Sequence, residues 1–187
     1  SWFLADRDAM GLVERLPAAQ MLGMRAANVG GLAFRRTPLP SDALLGGRGR
    51  GLELTLSLFQ ITRPLATSFA LGAADSALRI ATAFASGRPL YRSRAIELPN
   101  VEDGLVSAFV DLLAAEAVAR SAVRGLHTHP AESSVASAIA KVMVPELTGR
   151  AIRAASEALG ARFYLRRGIG SGIFQKLLRD QLIVGVF

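Results

Sequence analysis

The spacing of apolar residues changes near residue 52 and divides the chain into two regions. Beyond that point a stripe of small or apolar residues recurs at three- and four-residue steps, at Leu54, Leu58, Ile61, Leu65, Phe69, Gly72, Leu78 and Ala81. This period is that of an amphipathic helix. We therefore predict one long helix from about Leu52 to Gly87. Pro64 should kink it unless the helix restarts there, because proline removes one backbone hydrogen bond.

A second helix is predicted to follow Leu98-Pro99. Asn100 suits its N-cap, and Glu102 and Asp103 suit its first turn, where negative charge is favourable. The basic residue and the glycine of Arg124-Gly125 suit its end. The second helix is therefore expected over about residues 100–124.

Two more helices complete the predicted helical region. The third runs from about Ala131 to Leu159, with Gly160 as its cap and a bend expected at Pro145. The fourth is shorter and covers about residues 173–179. Four helices with apolar faces and short connections predict a mainly α fold, an up-and-down four-helix bundle.

Residues 1–50 lack the helical period and are interrupted by turn-forming residues. The segments Trp2-Phe3-Leu4-Ala5 and Val29-Gly30-Gly31-Leu32-Ala33-Phe34 are predicted strands, and Pro17, Pro38 and Pro40 mark loops. We therefore predict a short β and loop region over residues 1–50, followed by the helical bundle domain over residues 51–187.

Composition narrows the classes of protein that fit. Hydrophobic residues make up 51% of the 187 residues, which is enough to bury a sizeable core. The absence of cysteine excludes a disulfide framework and a thiolate metal site, and it favours a reducing, cytoplasmic location. Charged residues at Arg63, Asp75 and Arg79 interrupt the longest apolar stretch, so no membrane span is predicted.

The net charge of +7 raises the question of nucleic-acid binding. The 22 Lys and Arg residues are spread along the chain, with doublets only at Arg35-Arg36 and Arg166-Arg167. No zinc-finger spacing or aromatic RNA-binding pattern accompanies them. This distribution argues against nucleic-acid binding, and the positive field suits ligands that carry phosphate groups.

Two other segments have a chemical and a structural interpretation. His127 and His129 lack a third metal ligand at helical spacing, so a turn between helices is preferred and no metal site is predicted. The glycine run from Gly168 to Ile173 is weak evidence for a phosphate-binding nest, and it is interpreted as a flexible loop.

Several short segments in a fixed order carry more information than composition does. They are Asp8-Ala9-Met10-Gly11-Leu12, Leu22-Gly23-Met24-Arg25-Ala26, Thr37-Pro38-Leu39-Pro40-Ser41-Asp42-Ala43-Leu44-Leu45-Gly46, Gly49-Arg50-Gly51-Leu52, Phe59-Gln60-Ile61-Thr62-Arg63 and Leu177-Leu178-Arg179-Asp180. In this order and spacing they resemble the acyl-CoA dehydrogenase family, from the end of its middle β-domain through its C-terminal helical bundle. The resemblance covers almost the whole chain and implies that fold.

The resemblance also implies an activity. Members of this family oxidise the α,β bond of an acyl thioester with FAD: a carboxylate removes the α proton while the flavin N5 accepts hydride from the β carbon. In the family pattern that carboxylate would fall immediately after Phe187. We therefore assign no catalytic residue within the chain. The 187 residues are expected to be the C-terminal half of a longer protein.

The resemblance further implies two sets of binding residues. Arg88 and Tyr91 lie in a segment similar to the loop that contacts the FAD of a neighbouring subunit, and Glu157 and Gly160 lie in a second flavin-contacting segment. The helix segment that the resemblance places at the acyl substrate supplies Phe59, Thr62 and Arg63. The implied partners are an acyl-CoA or related thioester, a homo-oligomer or complementing subunit, and an electron-transfer acceptor.

Alternative interpretations remain open at this point. The family motif has glutamine at the position of Glu157 and glycine at that of Arg92, so the chain also fits a subunit that has lost its flavin and acts as a structural or substrate-binding partner. A carboxylate beside flavin phosphates is repulsive. A basic helical binding module is a third hypothesis. At the level of single residues, Thr62-Arg63 also suits an ordinary helix surface, and Arg88 and Tyr91 suit an ordinary loop.

Overall fold

The computed structural model describes residues 1–4, 13–168 and 172–185, and it divides into two compact units, Ser1–Phe59 and Gln60–Phe187. The segment Asp8-Ala9-Met10-Gly11-Leu12, most of the glycine run after Gly168, and Phe187 lie outside the described residues. Among the described residues, no helix combines the length and the apolar character that crossing a membrane requires.

The first unit is built from short antiparallel strands and the start of a long helix. Strand β1 (Trp2–Phe3) pairs with β4 (Leu44–Leu45), and β2 (Val13–Arg15) pairs with β3 (Leu32–Phe34). A 3-10 turn at Ser41–Ala43 precedes β4. The predicted strands at the start of the chain and before Phe34 are thus present in shortened form, while β2 and β4 were not predicted.

Four helices form the predicted bundle, and the mainly α fold is confirmed. They are α1 (Gly51–Gly87), α2 (Pro99–Thr128), α3 (Ser133–Leu159) and α4 (Ile173–Val184). A two-residue hairpin of β5 (Pro89–Leu90) and β6 (Ser93–Arg94) joins α1 to α2, and it is followed by a 3-10 turn at Ala95–Glu97. Further 3-10 turns at Pro130–Glu132 and Gly160–Tyr164 flank α3.

Alanine dominates the bundle core of the second unit. Fully buried alanines line the facing sides of α1, α2 and α3, among them Ala70, Ala74, Ala77, Ala81, Ala108, Ala115, Ala140, Ala151 and Ala155. Larger side chains fill the centre at Ile152 and Leu159 on α3 and at Phe174 on α4. Small side chains let helix backbones approach closely, so this core depends on close packing of the helices rather than on large apolar side chains.

Both interior prolines lie in uninterrupted helices. The helix does not restart at Pro64, and the Pro64 carbonyl accepts a hydrogen bond of 2.6 Å from the Thr67 hydroxyl. At Pro145, Thr148 Oγ1 donates to the Val144 carbonyl at 2.7 Å. Near each proline, a threonine hydroxyl of the following turn thus bonds back to a helix carbonyl three or four residues earlier.

Three predicted helix boundaries were wrong. Asn100 is not the N-cap of α2, because Pro99 already holds the first helical position and Leu98 caps it in extended conformation. Proline fixes the backbone angle that a helix start requires and lacks an N–H there to satisfy. The second helix continues past Arg124-Gly125 to Thr128, and α4 continues past Arg179 to Val184. Gly160 is the C-cap of α3 as predicted, with φ 56°.

Candidate functional site

Two arginines from different parts of the chain meet at one aromatic ring. The guanidinium carbon of Arg88, just after α1, lies 5.4 Å from the centroid of Phe84. The guanidinium carbon of Arg162, in the 3-10 turn after α3, lies 5.6 Å from the same centroid. Both distances are those of cation–π contacts. We call Phe84, Arg88 and Arg162 the Phe84 cluster.

The Phe84 cluster carries positive charge without a carboxylate partner. Within the described part of the chain, neither Arg88 nor Arg162 forms a salt bridge or a side-chain hydrogen bond. Two guanidinium groups held near one ring attract an anion that carries more than one negative oxygen. The donor set of the cluster therefore fits the phosphate groups of a cofactor such as FAD.

Tyr91 is at the tip of the hairpin next to this cluster. Its side chain is 96% exposed, and its backbone adopts φ 54°, in the left-handed region that residues other than glycine rarely adopt. Pro89 pairs with Arg94 and Leu90 pairs with Ser93, so the chain reverses direction at Tyr91. An exposed aromatic ring in a strained turn is consistent with a contact to a ligand or another chain.

The other two predicted flavin-binding residues lie at the end of α3. Glu157 is exposed, and its carbonyl accepts the N–H of Gly160. A Cβ built on Gly160 meets no heavy atom within 4 Å, so the position is open although its positive φ disfavours other residues. Within the described residues no ion pair joins Glu157 to Arg88.

The predicted substrate-binding residues all lie in the first half of α1. Phe59 and Thr62 are exposed, and Arg63 is half-buried. Arg63 lies close to Lys141 of α3: burial lowers the pKa of the Lys141 ammonium, and the positive charge of Arg63 lowers it further. Lys141 Nζ also donates a hydrogen bond to the carbonyl of Val184. Arg63, Lys141 and the end of α4 thus converge, which sequence reasoning did not predict.

The carboxylates of the described residues offer no clear proton-abstracting group. Glu53 is paired with Arg50 at 2.5 Å, and the hydrogen bond and charge of Arg50 lower the pKa of Glu53, which makes it a weaker base. Glu97 and Glu102 border a cleft of about 550 Å³ beside Phe109 in the second unit. In the described part of the chain, neither forms a side-chain hydrogen bond or ion pair that would activate it as a base, so no catalytic residue is assigned.

The histidines lie at the end of α2. His127 belongs to its last turn, and His129 caps it, with Nδ1 2.9 Å from the Thr128 hydroxyl. In the described ranges no group of three or more His, Cys, Asp or Glu side chains is arranged to hold a metal ion. The predicted turn between helices begins only at His129, because His127 and Thr128 still belong to α2.

Sequence reasoning did not nominate three residues of these sites: Phe84 and Arg162 of the Phe84 cluster, and Lys141 beside Arg63. Phe84 and Arg88 are four residues apart at a helix end, so helical spacing alone could have paired them. Lys141 had a weaker signal, as one of only two lysines in a chain rich in arginine. Arg162 lies in the second flavin-contacting segment, but its contact with Phe84 joins segments far apart in sequence, which spacing does not reveal.

Comparison with known proteins identifies the family. A profile described as "Acyl-CoA dehydrogenase, C-terminal domain" matches residues 49–187, which is most of the chain. The chain belongs to this family of acyl-CoA dehydrogenase C-terminal domains. The resemblance drawn from the ordered segments is thereby confirmed.

Individual relatives are distant. The chain is 26% identical over 145 residues to the mitochondrial short-chain specific acyl-CoA dehydrogenase of Bos taurus, which covers 78% of the chain and 35% of the relative. It is 22% identical over 187 residues to the cyclohex-1-ene-1-carbonyl-CoA dehydrogenase of Geobacter metallireducens, which covers 100% of the chain and 48% of that relative.

The fold is shared with a solved dehydrogenase. The butyryl-CoA dehydrogenase of Megasphaera elsdenii superposes with a TM-score of 0.90 at 19% identity, over 99% of the chain and 47% of that structure. The chain therefore spans about half the length, or less, of the relatives that it matches.

Proposed function

We propose that this chain is the C-terminal part of an acyl-CoA dehydrogenase-like flavoprotein that oxidises the α,β bond of an acyl thioester with FAD. The observation that carries the proposal is the Phe84 cluster. Arg88, which family resemblance assigns to the flavin loop, is held on Phe84 without a carboxylate partner in the described residues. When bound, FAD supplies the acceptor for a hydride from the β carbon of the substrate.

The residues of this chain would bind and orient the FAD and the acyl thioester, without taking part in the reaction themselves. Arg88 would donate charge-assisted hydrogen bonds to the FAD phosphates, with Tyr91 beside it and Gly160 leaving room at the end of α3. Arg63, with Lys141 behind it, would attract the negatively charged acyl-CoA, and Phe59 and Thr62 would border it. No residue of the chain is assigned the proton transfer.

The length of α1 supports a site shared between two copies of the chain. Arg63 and Phe84 are separated by 21 residues of continuous helix, which corresponds to about 30 Å. The resemblance places Arg88 at the FAD of a neighbouring subunit, so each catalytic centre would combine the Phe84 cluster of one chain with Arg63 of another.

Exposed apolar stripes support the association that this arrangement needs. One stripe runs along α2 at Val106, Phe109, Val110 and Leu113, and another runs along α3 at Val135, Ile139, Val142 and Met143. Contiguous exposed apolar surface of this kind is typical of interfaces. The proposed partners are a second copy of the chain or a complementing subunit, an acyl thioester and an electron acceptor. The absence of cysteine supports a reducing, cytoplasmic location.

One observation favours a second candidate function. Glu157 is an exposed carboxylate in a segment that the resemblance assigns to flavin contact, and negative charge there opposes the phosphates of FAD. A subunit of this kind would keep the fold and the apolar stripes but bind no flavin. It would serve as a structural or substrate-binding partner in an oligomer.

The proposed function is tested on the full-length gene product. The purified protein should show the visible absorption of bound FAD and lose it on anaerobic addition of an acyl-CoA substrate. Arg88→Ala should weaken FAD binding roughly tenfold or more, since one charge-assisted hydrogen bond contributes about 1.5–3 kcal/mol. The Tm of the flavin-free form should change little. Arg79→Ala, which removes an equal charge from an exposed pair with Asp75, is the matched control.

A colourless protein that does not bind added FAD contradicts the flavoprotein proposal and supports the second candidate. A yellow protein that no acyl-CoA reduces contradicts the proposed substrate class while leaving flavin binding in place. If the protein is yellow but Arg88→Ala leaves its FAD affinity unchanged, the assignment of Arg88 to a flavin-binding loop is wrong.

A further inference from the structure

An apolar cleft of about 440 Å³ lies between α1 and α2, in the size range of small-ligand sites. Its walls include Pro64, Leu65 and Leu71 of α1 and Ala119 and Val123 of α2. The cleft is separate from the proposed substrate face. Leu71 follows Thr62 by nine residues, or about two and a half turns, so the two side chains lie on opposite sides of α1.

The polar atoms on the α1 wall of this cleft are already bonded. The Thr67 hydroxyl donates to the Pro64 carbonyl at 2.6 Å, and the Ser68 hydroxyl donates to the Leu65 carbonyl at 2.8 Å. Because both hydroxyl protons are used within the helix, the wall presents mainly carbon to a ligand. An apolar chain gains most from such a surface.

Two arginines lie where this apolar cleft meets a polar one. Arg120 and Arg124 are one helical turn apart on α2, and both line the apolar cleft. Both also line a second cleft of about 690 Å³ between α2 and the start of α3, together with Ser121 and His129. The carboxylate of Glu132 is part of the same lining. A ligand that occupies both clefts passes the arginines at the boundary.

Of the two arginines, Arg124 is the better partner for an anion. Arg120 Nη2 is paired with Glu116 Oε1 at 2.5 Å. In the described residues no carboxylate forms an ion pair with Arg124, although Glu132 lines the same polar cleft. The exposed guanidinium of Arg124 therefore has its planar set of donors available for a carboxylate.

We propose that α1 and α2 form a binding site for a long-chain acyl anion of the free fatty acid class. The alkyl chain lies in the apolar cleft, and the carboxylate lies on Arg124 at the border of the polar cleft. A small hydrophilic anion leaves the apolar wall uncovered, and an uncharged apolar molecule leaves Arg124 without a partner, so an amphipathic anion fits both features. This site goes beyond the proposed function, because neither the flavin nor the thioester takes part in it.

The test measures binding of dodecanoate to the full-length protein by isothermal titration calorimetry. Arg124→Met, which removes the charge and keeps most of the side-chain length, should weaken binding about tenfold. Ser68→Trp, which places a large ring in the cleft, should abolish it. Arg79→Met is the control for net charge and should leave the affinity unchanged. Arg63→Met, on the proposed substrate face, should also leave it unchanged, which separates this site from the proposed function.

Two further probes check the two halves of the ligand. Butyrate, which lacks the long chain, and dodecyl maltoside, which lacks the charge, should each bind at least tenfold more weakly than dodecanoate. Arg124→Gln and the circular dichroism of each variant provide the check on folding, so that a misfolded methionine variant still leaves a neutral substitution to measure.

An absence of dodecanoate binding overturns the proposal, as does an affinity that neither Arg124→Met nor Ser68→Trp changes. Binding that is lost in Arg63→Met but kept in Arg124→Met places the ligand on the substrate face and also overturns it. Equal affinities for dodecanoate and dodecyl maltoside show that Arg124 does not bind the head group. If Ser68→Trp dissociates an oligomer in sedimentation, the cleft is an interface between subunits instead.

Discussion

The side-chain amide of Gln181 donates to the carbonyl of Pro145 at 3.0 Å and to the hydroxyl of Thr148 at 2.8 Å. Gln181 is 7% exposed, so this contact fastens α4 to α3 inside the bundle. The fourth helix has only 12 residues, too few for stability on its own. Its place beside the longer helices therefore depends on contacts of this kind.

We predict that Gln181→Ala releases α4. The loss of two buried hydrogen bonds should lower the free energy of unfolding by about 1–3 kcal/mol, and amide exchange in α4 should quicken first. Urea denaturation and hydrogen exchange measure both effects. Lys176→Ala, on the exposed side of the same helix, should cost less than about 1 kcal/mol. Equal effects of the two substitutions would contradict this account.

Lys141 predicts a dependence of stability on pH. Burial and the charge of Arg63 lower its pKa in the folded protein below the ordinary value of 10.5. Between the folded and unfolded pKa values the unfolded chain binds more protons, so the free energy of unfolding should rise with pH in that window. Below the folded pKa this contribution is constant and unfavourable.

The measurement is urea denaturation from neutral pH to 10.5, the ordinary lysine value. Lys141→Met should remove the rise, although it also removes the hydrogen bond to Val184 and so shifts the whole curve. Lys176→Met, at an exposed lysine, should leave the rise in place. A wild-type curve parallel to that of Lys141→Met would show that Lys141 is not responsible.

We predict that replacing Tyr91 with glycine raises the stability of the protein and weakens its binding of FAD. A residue with a side chain at φ 54° is strained by roughly 1–2 kcal/mol, so Tyr91→Gly should stabilise the protein by about 0.5–1 kcal/mol after the entropy cost of glycine. FAD affinity should fall, because the exposed ring is lost. Tyr164→Gly, at another exposed tyrosine without a positive φ, should destabilise. Thermal unfolding with and without FAD measures both the stability and the FAD binding of each variant.

The alanine core predicts a sharp contrast between two neighbouring residues of α2. Ala115 is fully buried between helices, whereas Ala114 is exposed. Ala115→Leu should overpack the core and lower the free energy of unfolding by about 1–3 kcal/mol. Ala114→Leu should change it by less than about 0.5 kcal/mol. Chemical denaturation of both variants measures the difference, and similar values would contradict the close packing described for α2.

Local patterns in the sequence predicted the bundle well. The apolar stripe of α1 and the glycine after α3 are local signals, and the helix bounds at Gly87 and Leu159 follow from them. The start of α2 shows where such signals compete: Asn100 and Pro99 both suit a helix start, and the fixed φ of proline decided it.

The candidate site was harder to predict because its contacts are not local. Arg88 was found through a sequence motif, but its approach to the same ring as Arg162 joins two different elements, which no local pattern reveals. The convergence of Arg63, Lys141 and the end of α4 likewise depends on how helices pack, which no spacing within one helix reveals.

The length of α1 has a genetic consequence. If Arg63 and the Phe84 cluster serve different catalytic centres, a chain with a defect at Arg63 still offers an intact Phe84 cluster to its partner, and a chain with a defect at Arg88 still offers an intact Arg63. Each variant alone would carry one defective residue at every centre of a homo-oligomer. Co-expressed, the two would form mixed assemblies in which one centre combines both intact ends. Two harmful alleles of this gene would then partly rescue each other.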